Sequence, residues 1–374
     1  MARIRVLVVD DSVVVRKLVT DVLATDPEVE IVGTAANGRI ALAKILQLNP
    51  DIITLDIEMP VMNGIETLRE LRVLHPKLPV IMFSTLSERG AAVTLEALSL
   101  GASDYVTKPS NVGSVTIAQQ RIRDELIPKI KALCGRKRGA SIGTLVAGAP
   151  TATLAPVARP PKVPPPLDRR IDVIAIGVST GGPNALAMLI PLLPADFPVP
   201  IVIVQHMPPV FTKLLAERIC KTSRLSVREG IASGAVERGS VWIAPGNYHM
   251  QVRRERDGVR LALDQGTPEN SCRPAVDVLF RSIARTYGNR ALGVVLTGMG
   301  QDGLRGAEEL VDAGSRVIAQ DQASSVVWGM PGFVAQAGLA ERVLPLSQMA
   351  DELNHRAREG RHVRTDLRGS GAVA

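Results

Sequence analysis

Ser179, His206 and Asp302 each follow a short apolar run. Ile171–Ile176 leads into Gly177-Val178-Ser179-Thr180-Gly181-Gly182. Ile201–Val204 leads into Gln205-His206-Met207-Pro208-Pro209. Ala291–Leu296 leads into Thr297-Gly298-Met299-Gly300-Gln301-Asp302-Gly303. A hydroxyl, an imidazole and a carboxylate together make a hydrolytic triad: Ser179 attacks an acyl carbon, His206 takes its proton, and Asp302 orients and stabilises the imidazolium. Short Val- and Ile-rich runs bounded by Gly and Pro read as buried parallel strands. The carboxyl ends of such strands share one sheet edge, where open α/β folds bind ligands. Residues more than a hundred positions apart then become neighbours, and this half of the chain is a candidate serine hydrolase.

The Gly177-x-Ser179-x-Gly181 spacing lets the backbone turn sharply and expose the hydroxyl. A Gly-rich turn of this kind also serves phosphates and dinucleotides, but the third glycine of that fingerprint and a phosphate-binding lysine are missing here. Of five histidines, His206 alone directly follows a buried strand on the expected edge, with His249 in reserve. Asp277 competes with Asp302 for the acid role. The glycines around Met299 allow backbone N–H groups to turn inward, as an oxyanion hole requires. The chain order Ser…His…Asp differs from the Ser…Asp…His of ordinary lipases and esterases.

A second constellation lies in the first half. Asp10 and Asp11 follow the first expected strand, Asp56 the third, Ser84 and Thr85 the fourth, and Lys108 the fifth. Clustered carboxylates repel unless a cation joins them, and oxygen ligands with room for water suit Mg²⁺. A metal-neutralised Asp is a nucleophile towards a phosphoryl group. Lys108 would pair with its oxygens and a Ser84 hydroxyl would hydrogen-bond to one of them.

These groups need a scaffold. Strands are expected over Ile4–Val9, Val29–Ala35, Ile52–Leu55, Val80–Phe83 and Asp104–Thr107, with helices between them. Five such repeats fit a flavodoxin-like (βα)5 domain. After a Pro-rich linker, a second, doubly wound and mainly parallel α/β domain follows, with strands including Ser240–Ile243, Tyr248–Val252, Val259–Leu263, Val317–Gln320 and Arg342–Leu346. A hairpin is expected to close at Asp257-Gly258. The domain bounds read 1–135, a linker at 136–168, 169–352, and a polar tail at 353–374.

The 374 residues carry a net charge of +7, placed largely in the expected linker and tail, with 3% aromatics. No helix-turn-helix, zinc or RNP pattern accompanies that charge, so nucleic-acid binding is not expected. The chain shows no apolar stretch of membrane-spanning length and no signal-peptide layout. Three unpaired cysteines, Cys134, Cys220 and Cys272, fit a reducing, cytoplasmic setting.

The segments Val8-Val9-Asp10-Asp11-Ser12, Leu55-Asp56-Ile57-Glu58-Met59-Pro60, Asn63-Gly64 and Gly101–Pro109 resemble the receiver domain of two-component response regulators. That resemblance implies Asp56 as phosphoacceptor, Mg²⁺ held by Asp10, Asp11, Asp56 and the main-chain carbonyl of Glu58, Ser84 as the switch hydroxyl, and Tyr105 as the switch aromatic. The segments Ile176–Pro183, Val204–Pro208, Ala244–His249, Arg273–Asp277 and Leu296–Gly303 resemble the chemotaxis methylesterase (CheB) family, with Cys272 and Ala275 departing from its pattern. This second resemblance implies a triad of Ser179, His206 and Asp302, with the main-chain N–H of Met299 at the oxyanion. It also implies hydrolysis of glutamyl methyl esters and deamidation of glutamines on methyl-accepting chemotaxis receptors. No cofactor is implied for that hydrolysis. The phosphodonor it implies is the chemotaxis histidine kinase, and the protein would associate with membrane receptor arrays through protein contacts, without inserting into the membrane.

Overall fold

A computed structural model describes residues 3–108, 115–135 and 170–361. The expected linker and the end of the expected tail lie outside them.

The first unit alternates β1 (Ile4–Val9), α1 (Val13–Leu23), β2 (Val29–Ala35), α2 (Gly38–Leu48), β3 (Ile52–Asp56), α3 (Gly64–Leu74), β4 (Val80–Ser84), α4 (Glu88–Ser99), β5 (Asp104–Thr107) and α5 (Val115–Gly135). Its strands are all parallel, in the order β2-β1-β3-β4-β5. The helix starts are fixed locally. Asn37 accepts from Ile40 N, and Asn63 forms a reciprocal capping box with Glu66, which satisfies backbone donors that would otherwise lack partners. The order reverses between β1 and β3, so Asp10 and Asp56 flank the switch point where such sheets take ligands.

The second unit carries β6 (Val173–Val178), α6 (Gly182–Leu189), β7 (Ile201–Gln205), α7 (Phe211–Thr222), β8 (Ser226–Glu229), β9 (Ser240–Ile243), β10 (His249–Glu255), β11 (Gly258–Asp264), α8 (Val276–Tyr287), β12 (Ala291–Val295), α9 (Leu304–Asp312), β13 (Arg316–Gln320), α10 (Met330–Gln336), β14 (Arg342–Leu344) and α11 (Leu346–Arg358). Seven parallel strands run β14-β13-β12-β6-β7-β9-β8. The central strands β6, β7 and β12 are buried at every position, as helices on both faces require. The chain winds to one side of β6, then returns to the other side at β12. The switch point therefore lies between β6 and β12.

Three details differ from the sequence reading. The loop of the β10–β11 hairpin is Arg256-Asp257, and Gly258 opens β11 at φ 138°. The short strand β8, half-buried at an edge, gave no strong apolar signal. Helix α11 continues to Arg358, past the expected start of the tail at 353. Leu353 and Ala357 are buried, and Arg356 pairs with Glu352 and Glu341, so the chain cannot leave the fold before the helix ends. Among the described residues no helix is long and apolar enough to cross a membrane.

The two units share core. One apolar cluster joins β3, β4 and α4 of the first to β6, α6 and α7 of the second. The Tyr105 ring stacks on Phe211 at 4.9 Å with planes 6° apart, a geometry that adds to plain area burial.

Candidate functional site: a triad edge under a phosphoacceptor domain

The backbone assembles the triad edge. Ser179 N donates to Thr297 O at 3.0 Å, and His206 N donates to Val178 O at 3.1 Å. These bonds tie the ends of β6, β12 and β7 together. Gly181 sits at φ 80°, where a side chain would be strained. A Cβ at Gly182 would lie 1.9 Å from Gln205 Oε1. Gln205 in turn donates to the Ser179 carbonyl at 3.0 Å and the His206 carbonyl at 3.2 Å. That buried amide, a polar residue at the end of an otherwise apolar strand, went unused in the sequence reading.

His206 Nε2 lies 2.7 Å from Asp302 Oδ2. A carboxylate only accepts, so Nε2 carries the proton and Nδ1 is the basic nitrogen. Asp302 is buried and also accepts from the N–H groups of Val276, Asp277 and Gly303 and from Asn270 Nδ2. Burial favours the neutral acid, but His206 and these donors outweigh it and hold the Asp302 carboxyl below the usual range. Burial likewise disfavours an imidazolium. The Cys272 sulfur and the Asp302 carboxylate overcome that and push His206 up to about 10.

Cys272 Sγ stands 3.7 Å from His206 Nδ1. Ser179 is half-buried, and its hydroxyl makes no hydrogen bond among the described residues. The structure thus joins His206 to Asp302 and places Ser179 on the same edge, while a thiol faces the nitrogen a serine would use. The Met299 N–H likewise donates to no described residue.

The competing residues have other work. His249 Nδ1 accepts from Ala275 N and its Nε2 donates to Thr267 O, so both ring nitrogens serve the backbone. Asp277 accepts from Gly306 N and from Asn270, with no bond to His206. Asn270, at φ 52°, bridges Asp277 and Asp302 at 2.8 Å each and carried no sequence signal beyond a turn residue.

The first unit gathers its acids as expected. Lys108 Nζ lies 2.7 Å from Asp56 Oδ1 and 3.0 Å from Asp10 Oδ2. Asp10, Asp11 and Asp56 offer carboxylate oxygens within 4.8 Å of one another. Asp56 Oδ2 is buried with no hydrogen-bond partner. Burial raises Asp56 most, Lys108 opposes it and Asp10 adds to it, and the result is about 6. An orphaned carboxylate oxygen among three acids fits a hard divalent cation with water. Glu58 lines the same cleft with Asp11, Asp56, Thr85 and Lys108. The Ser84 hydroxyl is turned away, donating to Gly90 O at 3.3 Å and accepting from Thr94 at 2.6 Å.

The units meet beside the candidate triad edge. Thr180, next to the candidate nucleophile, donates to Asp104 Oδ2 at 2.8 Å. Asn184 donates to Leu98 O at 2.7 Å, and Arg218 donates to Leu95 O and Ser99 Oγ. The Met299 side chain packs with Val326 and Val327 against the core that contains Val106 and Phe83.

Comparison with known proteins finds two families matched in the same order as the two units. The family described as CheB methylesterase matches residues 174–353, and the response regulator receiver domain family matches residues 6–118. A protein-glutamate methylesterase/protein-glutamine glutaminase of Trichodesmium erythraeum is 52% identical over 356 residues, covering 95% of this chain and 99% of that protein. One of the same name from Nocardioides sp. is 53% identical, covering 95% and 96%. The crystal structure of the Thermotoga maritima CheB methylesterase catalytic domain is 44% identical, with a TM-score of 0.49, covering 50% of this chain and 98% of that one. The chain belongs to the protein-glutamate methylesterase/protein-glutamine glutaminase (CheB) family, with a receiver domain ahead of a methylesterase domain.

Proposed function

We propose that this chain demethylates glutamate methyl esters on chemoreceptors, deamidates receptor glutamines, and is switched on by phosphorylation of Asp56. The observation that carries the reading is the placement of Ser179, the His206–Asp302 pair and the Met299 N–H on one edge, with the receiver packed against it.

Ser179 Oγ attacks the acyl carbon and gives its proton to His206 Nδ1, the ring nitrogen that Asp302 leaves open. The N–H of Met299 receives the oxyanion. His206 then protonates the departing methoxide, which leaves as methanol, and water repeats the sequence to release glutamate. A glutamine side chain follows the same path, with ammonia leaving. That step needs firmer proton donation to nitrogen and is slower.

In the receiver, Asp56 is the phosphoacceptor and the chemotaxis histidine kinase the donor. Asp10, Asp11, Asp56 and the Glu58 carbonyl would hold Mg²⁺, which when bound neutralises charge around the phosphoryl group. Lys108 pairs with the phosphoryl oxygens. Ser84 leaves Thr94 and Gly90 to hydrogen-bond to one of them, which loosens the α4 and Tyr105 face from the catalytic domain. The protein works in the cytoplasm beside receptor arrays.

Methanol release from methyl-labelled receptor membranes tests the chemistry. Ser179→Ala is expected to lose methanol and ammonia release together by several orders of magnitude. Deamidation that survives in that variant contradicts a shared nucleophile.

A further inference from the structure

We propose that Cys272 Sγ and His206 Nδ1 form a capture site for a soft divalent cation, with Zn²⁺ the best fit, and that an ion bound there arrests the hydrolase. The inhibitory half rests on the serine-hydrolase reading above; the binding half does not.

The pair is built for it. A tetrahedral zinc with a thiolate at about 2.3 Å and an imidazole nitrogen at about 2.0 Å separates sulfur from nitrogen by about 3.5 Å. The observed separation is 3.7 Å. The loop that carries Cys272 is held firmly. Glu269 and Cys272 exchange two backbone hydrogen bonds around Asn270 and Ser271, both at positive φ, and Asn270 is tied to Asp302. Cys272 is half-buried on this loop.

Asp302 acts from outside the ligand shell. Its Oδ1 accepts from Asn270, Asp277 and Gly303, and its Oδ2 from Val276 and His206 Nε2. With these acceptor positions taken, the carboxylate holds Nε2–H and leaves Nδ1 as the ring atom facing sulfur, the usual task of an outer-shell carboxylate at a zinc-bound histidine.

A sulfur and nitrogen pair selects zinc-like ions over Mg²⁺. The receiver's all-oxygen cluster of Asp10, Asp11 and Asp56 has the opposite preference. Binding releases the Cys272 thiol proton and the His206 Nδ1 proton to solvent, and water completes the shell. The ion then occupies the nitrogen that must accept the Ser179 proton, so hydrolysis stops until the metal is removed.

The test uses the full chain in a Cys220→Ser background, which removes the exposed thiol, with Mg²⁺ in excess. Zn²⁺ is titrated against a chromophoric chelator, and methanol release is measured in parallel. One strong zinc per chain is expected. Its affinity should fall at least about tenfold in both Cys272→Ser and Cys272→Ala and stay unchanged in Ser179→Ala. Methanol release should fall in step with zinc occupancy and return on chelation, while Cys272→Ser resists the same zinc concentration. Asp56 phosphorylation in each preparation controls for folding. Equal zinc affinity in the Cys272 variants, or full hydrolysis at full occupancy, overturns the proposal. Cys272-dependent zinc binding with no methanol release from any preparation keeps the metal site and overturns the hydrolase reading instead.

Discussion

The Thr180 hydroxyl donates to Asp104 Oδ2 at 2.8 Å, so the residue next to the proposed nucleophile, Ser179, is bonded to the first residue of receiver strand β5. Asp104 is also paired with Lys129 at 3.4 Å, and Lys129 donates to the carbonyl of Tyr105. Lys108, which pairs with Asp56, follows directly on the last residue of β5. A short covalent and hydrogen-bonded path thus joins Asp56 to the edge that carries Ser179. On the proposed reading, phosphorylation of Asp56 would change the charge at one end of this path and shift the interface at the other.

Arg218 tests the interface away from the chemistry. Its guanidinium holds Leu95 O and Ser99 Oγ on α4. Arg218→Ala is expected to raise the methanol-release rate of the unphosphorylated protein severalfold and leave the phosphorylated rate unchanged. An unchanged basal rate would show that α4 contributes nothing to closure.

Asp302→Asn should keep the fold and lower kcat by about 10⁴-fold, because the amide cannot hold the Nε2–H tautomer. Asp277→Asn should affect thermal stability more than kcat, since Asp277 caps Gly306 and has no bond to His206. Equal losses of kcat in the two variants would undo the assignment of Asp302.

The pH profile carries a sign. His206 is pushed up to about 10, and only its neutral ring accepts the serine proton. In metal-free protein kcat/KM should therefore rise with pH towards that value. Replacing Cys272 by Ala removes one cause of the elevation, so the rising limb should move to lower pH. A limb that stays in place means the sulfur does not act on the ring.

Gly182→Ala should press on Gln205 Oε1, 1.9 Å from the added Cβ, and on Val178. The displaced amide loses its hold on the Ser179 carbonyl. A nucleophile moved by a fraction of an ångström should lower kcat by up to about 100-fold, with KM little changed. Steady-state methanol release measures both.

Much of this was legible in the sequence because parallel α/β sheets turn strand order into shared edges. Ser179, His206 and Asp302 each follow an apolar run, and so do Asp10, Asp56 and Lys108. What stayed hidden depends on tertiary packing. The Tyr105–Phe211 stack joins two separate units, and no local periodicity encodes it. Asn270 reads as a turn residue until Asp277 and Asp302 converge on it. Ser84 was legible by position, but its bond to Thr94 was not. The tail was misplaced because Arg356 reads as solvent-exposed charge until Glu341 and Glu352 bury it.

The most direct measurement is methanol release from methyl-labelled receptor membranes with and without acetyl phosphate and Mg²⁺, comparing the native chain with Asp56→Asn. Stimulation by the phosphodonor in the native chain and none in Asp56→Asn, which should also take up no label, is the predicted result. Equal stimulation of both proteins would contradict control through Asp56.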